Sequence, residues 1–407
     1  MGDTVANLPT ELYEQIIAHV QDRADLALLA RSSRPVHLLA TTQLYRRVIF
    51  TCVTSVQAVE AFLETVQHSF SLAQGVVHLE VDWMDRNSVS SDDFWMPMIG
   101  YTPVTVPGVE IDLSSAVSRM INLEHLSVGK AVRNRIAPQL LKDGDTTPMP
   151  TGLKALHIYS QFIDITDHGL QQMIRKQTTL SELSLGKLSL SMVDVLRNMV
   201  SLHMLRIVIP DSPFGQENNP RVPTSVDGSL LKFIRRLDLC AVNTLRQPQQ
   251  RNDLFALFPN LQQLNIFCHP GLLSVSDFST VFIPFPTKLE RVGIMFCPDL
   301  MSRWSTLYYT DALNFIQTAF PDLDRLDILC DCQNIYHENI GNVAIQAVAQ
   351  HIIVLVAPGM KRLRWVTMAG RMWERDPTSR TFEPFSSRTM KETEVGDLSS
   401  IPFHQLM

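Results

Sequence analysis

One spacing recurs along this chain and governs what it can fold into: an apolar residue, two variable residues, an apolar residue, one variable residue, and a third apolar residue. It reads Leu153-Leu156-Ile158, Leu180-Leu183-Leu185, Leu202-Leu205-Ile207 and Ile234-Leu237-Leu239. It continues as Leu261-Leu264-Ile266, Leu289-Val292-Ile294 and Leu323-Leu326-Ile328. Weaker copies are Val76-Leu79-Val81, Leu123-Leu126-Val128 and Met360-Leu363-Trp365. From residue 123 onward, successive first positions lie between 22 residues apart (Leu180 to Leu202) and 37 apart (Leu323 to Met360), by subtraction. The second and third positions of each copy are two residues apart, so on a strand they point the same way. A single such strand cannot bury its apolar face, but a stack of them can.

The segments between copies read as helical returns. Asp167–Lys176, Met192–Met199, Asp253–Phe258, Asp311–Phe320 and Val343–Val356 carry apolar residues at helical spacing. Asp167, Asp253 and Asp311 sit where a helix-capping or first-turn acid belongs, and Pro259 and Pro321 follow where a helix should stop. Strand and helix alternate at roughly the 20–29-residue period of leucine-rich repeats, with insertions. The expected fold class is therefore α/β, a leucine-rich-repeat solenoid, or horseshoe. A doubly wound α/β domain is the alternative. Three segments break the period and read as inserted loops: Asp82–Arg119, Lys130–Thr151 and Pro210–Ser229, each rich in proline, serine or aspartate. Residues 376–407 read as a polar tail, either disordered or laid on the folded surface.

Composition narrows the functional classes. Apolar residues make up 45% of the chain and charged residues 19%, which suffices for a packed core. The net charge of −6 argues against non-specific nucleic-acid binding, which needs clustered cations. Met1–Ala6 carries no basic and apolar leader, and the longest uncharged apolar stretch, Val343–Ala357, is too short to span a bilayer. Six scattered cysteines are read as reduced thiols, which places the chain in the cytoplasm or nucleus.

Residues 7–50 have a different texture. Pro9 and Glu11 open a helix with Leu12, Ile16 and Val20 on one face and Tyr13 and Ile17 beside them. Asp22–Asp25 reads as a turn, with Asp25 capping a second helix through Leu26, Leu28 and Leu29. Pro35 opens a third, carrying Val36, Leu38, Leu39, Leu44, Tyr45 and Val48. Three short helices cannot close a core alone, so part of their apolar surface must meet another element or another protein. Leu8-Pro9-x-Glu11-Leu12-x-x-x-Ile16-Ile17, then Asp25-Leu26-x-Leu28, then Ala30-Arg31-Ser32-Ser33 and Leu44-Tyr45-Arg46-Arg47-Val48, resembles the F-box motif. It departs from that motif in lacking a Trp before the third helix.

With the repeats behind it, the whole chain is similar to the F-box/leucine-rich-repeat proteins, particularly divergent fungal ones. The resemblance implies a small three-helix F-box domain over residues 1–50, repeats over residues 51–375 and the tail. It implies a substrate receptor of an SCF-type cullin–RING ubiquitin ligase that is not itself an enzyme. The F-box would bind a Skp-type adaptor, and through it a cullin, while the repeats hold a protein substrate. Carried over by position, Leu8, Pro9, Leu12, Ile16, Leu28, Leu29, Leu44 and Tyr45 would contact the adaptor or support that surface. Two alternatives stand beside this reading. In one, residues 4–70 are only the helical cap a solenoid needs and the chain is a repeat scaffold without a ligase. In the other, it is a hydrolase-type enzyme with a deep pocket.

Strand alternation also yields an expected concave face. The position before the second motif residue becomes arginine-rich toward the C-terminus, with Arg236, Arg291, Arg325 and Arg362; Arg206 and Arg364 lie between the second and third. Beside them Phe267 and Met295 supply apolar surface. These eight residues are expected to bind something amphipathic and acidic, a substrate peptide or the chain's own tail. Paired arginines and aspartates of a solvated face are the alternative. Cys268, Cys297, Cys330 and Cys332 lack the convergent spacing of a zinc site. No metal, cofactor or catalytic motif is expected.

Overall fold

Most of the described repeats begin with the same turn. The amide of the first motif residue donates to the carbonyl three residues upstream. Examples are Leu123 to Met120 (2.9 Å), Leu202 to Met199 (3.2 Å), Ile234 to Leu231 (3.1 Å) and Leu261 to Phe258 (3.3 Å). Both ends of this turn are buried apolar side chains, so it forms where two hydrophobic residues three apart can dive together into the core. At most described rungs one carbonyl at the start of the rung then accepts two successive amides from the next. That of Glu290 takes Asp324 (2.9 Å) and Arg325 (3.0 Å), and that of Arg235 takes Gln262 (2.8 Å) and Gln263 (2.9 Å). The shared carbonyl sets neighbouring strands in one register before the strand itself begins.

A computed structural model describes residues 9–20, 22–50, 56–81, 109–128, 136–139, 149–158, 167–185, 188, 190–207, 231–239, 255–268, 289–296, 316–317, 320, 322–330, 360–368, 371–376, 378–379 and 382–384. These fall into two compact units, one ending at Leu180 and one running from Ser181.

The first unit opens with α1 (Thr10–His19), α2 (Arg23–Ala30) and α3 (Arg34–Arg46). Strand β1 (Arg47–Phe50) follows α3 without a break. Next come α4 (Val56–His68), α5 (Phe70–Gly75), β2 (His78–Val81), β3 (Val109–Asp112), α6 (Ser114–Arg119), β4 (His125–Val128), β5 (Ile136–Gln139), β6 (Ala155–Ile158) and α7 (Asp167–Arg175). Strands β1, β2, β4 and β6 pair in parallel, with Leu79 opposite Leu126 and Leu126 opposite Leu156. Asp22, not Asp25, caps α2, accepting from the Ala24 amide at 2.7 Å. Asp25 lies in the first turn instead, where its charge complements the helix dipole.

Two of the segments read as loops contain regular structure. β3 and β5 form a separate parallel pair, and α6 buries Ala116 and Val117. Serine and aspartate near these segments masked a short helix that tertiary burial sustains. Gln177 sits buried after α7 and bonds across the rung: its Nε2 donates to Pro150 O (2.7 Å) and its Oε1 accepts from Leu153 N (3.2 Å).

The second unit carries β7 (Glu182–Leu185), α8 (Leu190–Leu196), β8 (Met204–Ile207), β9 (Arg236–Leu239), β10 (Gln263–Cys268), β11 (Arg291–Phe296), β12 (Arg325–Cys330) and β13 (Trp365–Met368). All pair in parallel and in chain order, aligning Leu183, Leu205, Leu237, Leu264, Val292 and Leu326 in one buried row. Then β14 (Arg371–Arg375) and β15 (Phe382–Pro384) turn back antiparallel. β15 lies inside the segment read as a polar tail, so pairing continues past Asp376. One short parallel strand per repeat, with leucines inward, is leucine-rich-repeat architecture. The return segment Val343–Val356 and residues 385–407 lie outside the described residues.

The last copy of the motif lies three residues later than its spacing predicts. Arg325 pairs with Trp365 and Leu326 with Val366. The true copy is Leu363-Val366-Met368, and Met360 occupies the turn position held elsewhere by Phe320 and Phe258. Buried apolar residues three apart occur twice in succession here, so the spacing alone could not choose between them.

Candidate functional site

Two surfaces carry the residues that the sequence singled out. The first lies on the opening helices. Ile17, Leu26, Val36 and Ala40 form their core, with Tyr13, Val20, Leu29, Leu39 and Leu44 packed against it. The core stripe of α1 is thus Tyr13, Ile17 and Val20, which turns Leu12 and Ile16 outward. Four large apolar side chains are left in solvent: Leu12 at 43% exposure, Ile16 at 53%, Leu28 at 63% and Leu38 at 62%. Pro9, just ahead of α1, is also exposed, and its carbonyl accepts the Leu12 (3.0 Å) and Tyr13 (3.3 Å) amides. The other expected adaptor residues face inward. Leu29 and Leu44 support the helical core, and the Tyr45 ring stacks on Phe62 of α4 at 5.9 Å. Leu8 lies outside the described residues. Leu38, an apolar residue of the third helix, is exposed as well and lies outside the set that the motif resemblance implies.

The helices are held by polar ties at their ends. Arg23 Nη1 donates to the Arg47 carbonyl at 2.6 Å, fixing the start of α2 to the end of α3. A hydrogen bond of 2.6 Å joins His37 Nδ1 to the Ala30 carbonyl. The arrangement presents leucine and isoleucine side chains from three rigid helices to solvent, where burial would contribute roughly 25 cal/mol per Å².

The second surface is, in each unit taken by itself, the strand face opposite the leucines. Its middle row is polar and, against expectation, mostly buried: Glu80, Ser127, Ser184, Arg206, Asp238, Asn265 and Asp327 are buried, and His157 is half-buried. First-row side chains reach over parts of it: His78 to Glu80, Arg236 to Asp238 and Arg325 to Asp327. In the first unit the His78 and His125 rings stack at 5.5 Å, and His78 Nε2 lies 3.5 Å from Glu80 Oε2.

In the second unit the arginines meet aspartates. Asp238 receives Arg206 Nε (3.2 Å) and Nη2 (2.9 Å), Arg236 Nε (3.1 Å) and Nη2 (3.3 Å), and Asn265 Nδ2 (2.6 Å). Burial pushes its carboxyl up, but the charges of Arg206 and Arg236 and the bonds from Arg236 and Asn265 outweigh this, leaving it below its ordinary value. Asp327 is held in the same way by Arg291 Nε (2.7 Å) and Arg325 Nε (3.0 Å).

Arg206 is therefore a buried ion-pair member and not a ligand-facing residue. Arg362 and Arg364 are not on this face, because of the register of β13. They precede the strand, over 69% exposed, paired with Asp322 (3.5 Å) and Asp324. Phe267 and Met295 sit opposite each other on β10 and β11, with side-chain positions outside the described set.

A cleft of about 490 Å³ opens beside α3 in the first unit, lined by Thr42, Arg46, Asn122 and Glu124 among others. Among the described residues no group of three His, Cys, Asp or Glu side chains is placed to hold a metal ion, and no helix is long and apolar enough to cross a membrane.

No family model matches the chain, and no curated protein matches it in sequence. Among solved structures it is similar to a leucine-rich-repeat-containing protein, LegL7, from Legionella pneumophila, with 15% identity, 66% of this chain and 77% of that one covered, and a TM-score of 0.33. It is also similar to an internalin from Listeria monocytogenes, with 13% identity, 82% and 96% covered, and a TM-score of 0.29.

Proposed function

We propose that this chain is a protein-interaction receptor whose opening helices dock a Skp-type adaptor and whose strand ladder holds a protein substrate. Through the adaptor it joins a cullin in an SCF-type ubiquitin ligase of the cytoplasm or nucleus, and carries out no catalytic step itself. The observation supporting this most is the outward set Leu12, Ile16 and Leu28. They lie at positions where the F-box resemblance expects adaptor contacts, and each is left in water by helices that have already closed their own core. Large apolar side chains on rigid helices are costly to leave exposed unless a partner covers them.

The test is co-expression of the full chain with a Skp adaptor, followed by pull-down, beside a Leu8→Ala/Pro9→Ala variant and a Leu28→Asp variant. Leu28 is exposed, so its replacement leaves folding intact. Capture of the wild type and loss with either variant supports the reading; no capture of folded wild type removes it.

A second reading draws on the unbroken passage from α3 into β1. Buried Val48 and Phe50 and the Tyr45–Phe62 and Phe50–Phe62 contacts join the helices to the first rung. The helices would then be a solenoid cap on a scaffold without a ligase, and the failed pull-down is the result that favours it.

A further inference from the structure

The cleft beside α3 in the first unit has walls that hydrogen bonds fix to one another. The Arg46 carbonyl, at the end of α3, accepts the Val77 amide at 3.0 Å. Asn122 Nδ2, in the turn before β4, donates to the Gln74 carbonyl of α5 at 2.9 Å. The Glu124 carbonyl accepts the Lys154 amide at 2.7 Å, which brings the approach to β6 alongside. The volume, about 490 Å³, lies in the range of ligand pockets. Two glycines that line it keep it open. A Cβ on Gly75 would meet Thr42 Cγ2 at 3.5 Å, and one on Gly152 would meet nothing within 4 Å.

Its side chains divide into donors, an acceptor and an apolar lip. Gln43 and Arg46 stand three apart on α3, adjacent on the helix surface. Neither side chain has a hydrogen bond or ion pair among the described residues. Glu124 lines the same cleft. The hydrogen bond from Lys154 holds its carboxyl below the ordinary value, and the charges of Lys154, His125 and Arg46 add to this. Lys154 Nζ lies 2.9 Å from Oε1, and a carboxylate can accept at about four sites, so capacity remains. Met120 and Leu123 are buried on either side of the turn, which leaves Ile121 at the lip 51% exposed.

A partner group that meets all three must carry a carboxylate, an N–H and an alkyl side chain close together. The last residue of a polypeptide does. The flat fork of Arg46 can take its carboxylate with two parallel bonds, and Gln43 adds a donor. Its amide N–H meets Glu124 and its side chain covers Ile121. An internal Asp or Glu spends its side chain on the carboxylate and leaves Ile121 in water. A free amino acid brings an ammonium in place of the amide, and Glu124 already has Lys154 against it and Arg46 near it.

We propose that this cleft binds the C-terminal residue of a partner protein, a free carboxylate on a residue with an apolar side chain. The site stands apart from the strand face and does not rest on the ligase reading. The assay contains no adaptor, so either can fail while the other stands.

The probe is a peptide of Gly and Ser ending in Leu, fluorescein-labelled at its N-terminus and titrated by anisotropy with the full chain. Beside it runs the same peptide with an amidated C-terminus. The free acid binds, and amidation weakens it about tenfold or more, the value of one charge-assisted bond. Arg46→Gln weakens the free acid to the same degree, and Arg46→Lys restores part of the loss. Gly152→Leu fills the cleft and weakens binding about tenfold or more. Its added side chain starts in open space, so its urea unfolding midpoint stays that of the wild type. Equal binding of acid and amide overturns the inference, as does indifference to either Arg46→Gln or Gly152→Leu, or no binding by the folded chain at low salt. An amidated peptide with an internal Glu that binds as tightly as the free acid overturns the assignment to a chain end. Free leucine that displaces the probe as well as unlabelled peptide does overturns the assignment to a polypeptide.

Discussion

Replacing Asp238 by Leu is the sharpest test of how the polar row is held. The substitution removes the acceptor of five hydrogen bonds from Arg206, Arg236 and Asn265. It leaves Arg206, 2% exposed, without its nearest counter-ion. Breaking a buried ion pair from one side costs about 3–5 kcal/mol, mostly because the surviving charge stays desolvated. We expect that loss in urea unfolding followed by tryptophan fluorescence, with hydrogen exchange accelerating first in β8, β9 and β10. The double variant Arg206→Leu/Asp238→Leu removes the stranded charge as well and recovers most of the stability, because apolar side chains of similar volume replace a buried pair with little net cost. A single-variant loss below about 1 kcal/mol, or a double variant less stable than the single, would refute the reasoning. The same carboxylate predicts a pH dependence. Its folded pKa is lowered, so its contribution is present above the unfolded value near 4 and is lost as pH falls through the lower folded value. Wild type should therefore lose stability more steeply than Asp238→Asn below about pH 4.

Three further outcomes follow from burial and register. Leu28→Asp changes stability by no more than about 0.5 kcal/mol while Ile17→Ala, in the helical core, costs about 2–5 kcal/mol in the same denaturation assay. Leu363→Ala costs about 2–5 kcal/mol, whereas Arg362→Ala and Arg364→Ala, which break exposed pairs, cost at most about 1 kcal/mol; reversed sizes would refute this assignment of buried and exposed positions. Gln177→Leu leaves the Leu153 amide and Pro150 carbonyl without their side-chain partner, costs about 1–3 kcal/mol, and exposes the Leu153 amide to faster exchange.

The repeat register was legible because burial of Leu183, Leu205, Leu237, Leu264, Val292 and Leu326 is enforced by sequence-local spacing. It failed at β13, where Met360, Leu363 and Val366 are all buried at three-residue steps and two placements satisfy the same pattern. The helical core was half legible. Apolar positions of α1 were plain, but which of two adjacent stripes faces inward depends on α2 and α3, which turn Leu12 and Ile16 out. The polar row was least legible. Alternation assigns Asp238 and Asp327 to the face away from the leucines, and from sequence such a position reads as solvated. Burial there depends on arginines one strand away, a contact between residues 32 and 36 apart that no local pattern encodes.

The antiparallel turn of β14 and β15 against β13 bears on how long such an array can grow. A parallel edge strand presents amides and carbonyls spaced to template another copy of itself, and each described strand of the second unit from β7 to β12 is met by such a copy. Reversing polarity withdraws that template, and Trp373, buried on β14, anchors the reversal. Rungs can therefore be duplicated or lost upstream without touching the stop, so copy number is free to drift while the terminus stays fixed. A chain cut before Arg371 would instead end on a live edge and should associate with itself in proportion to its concentration.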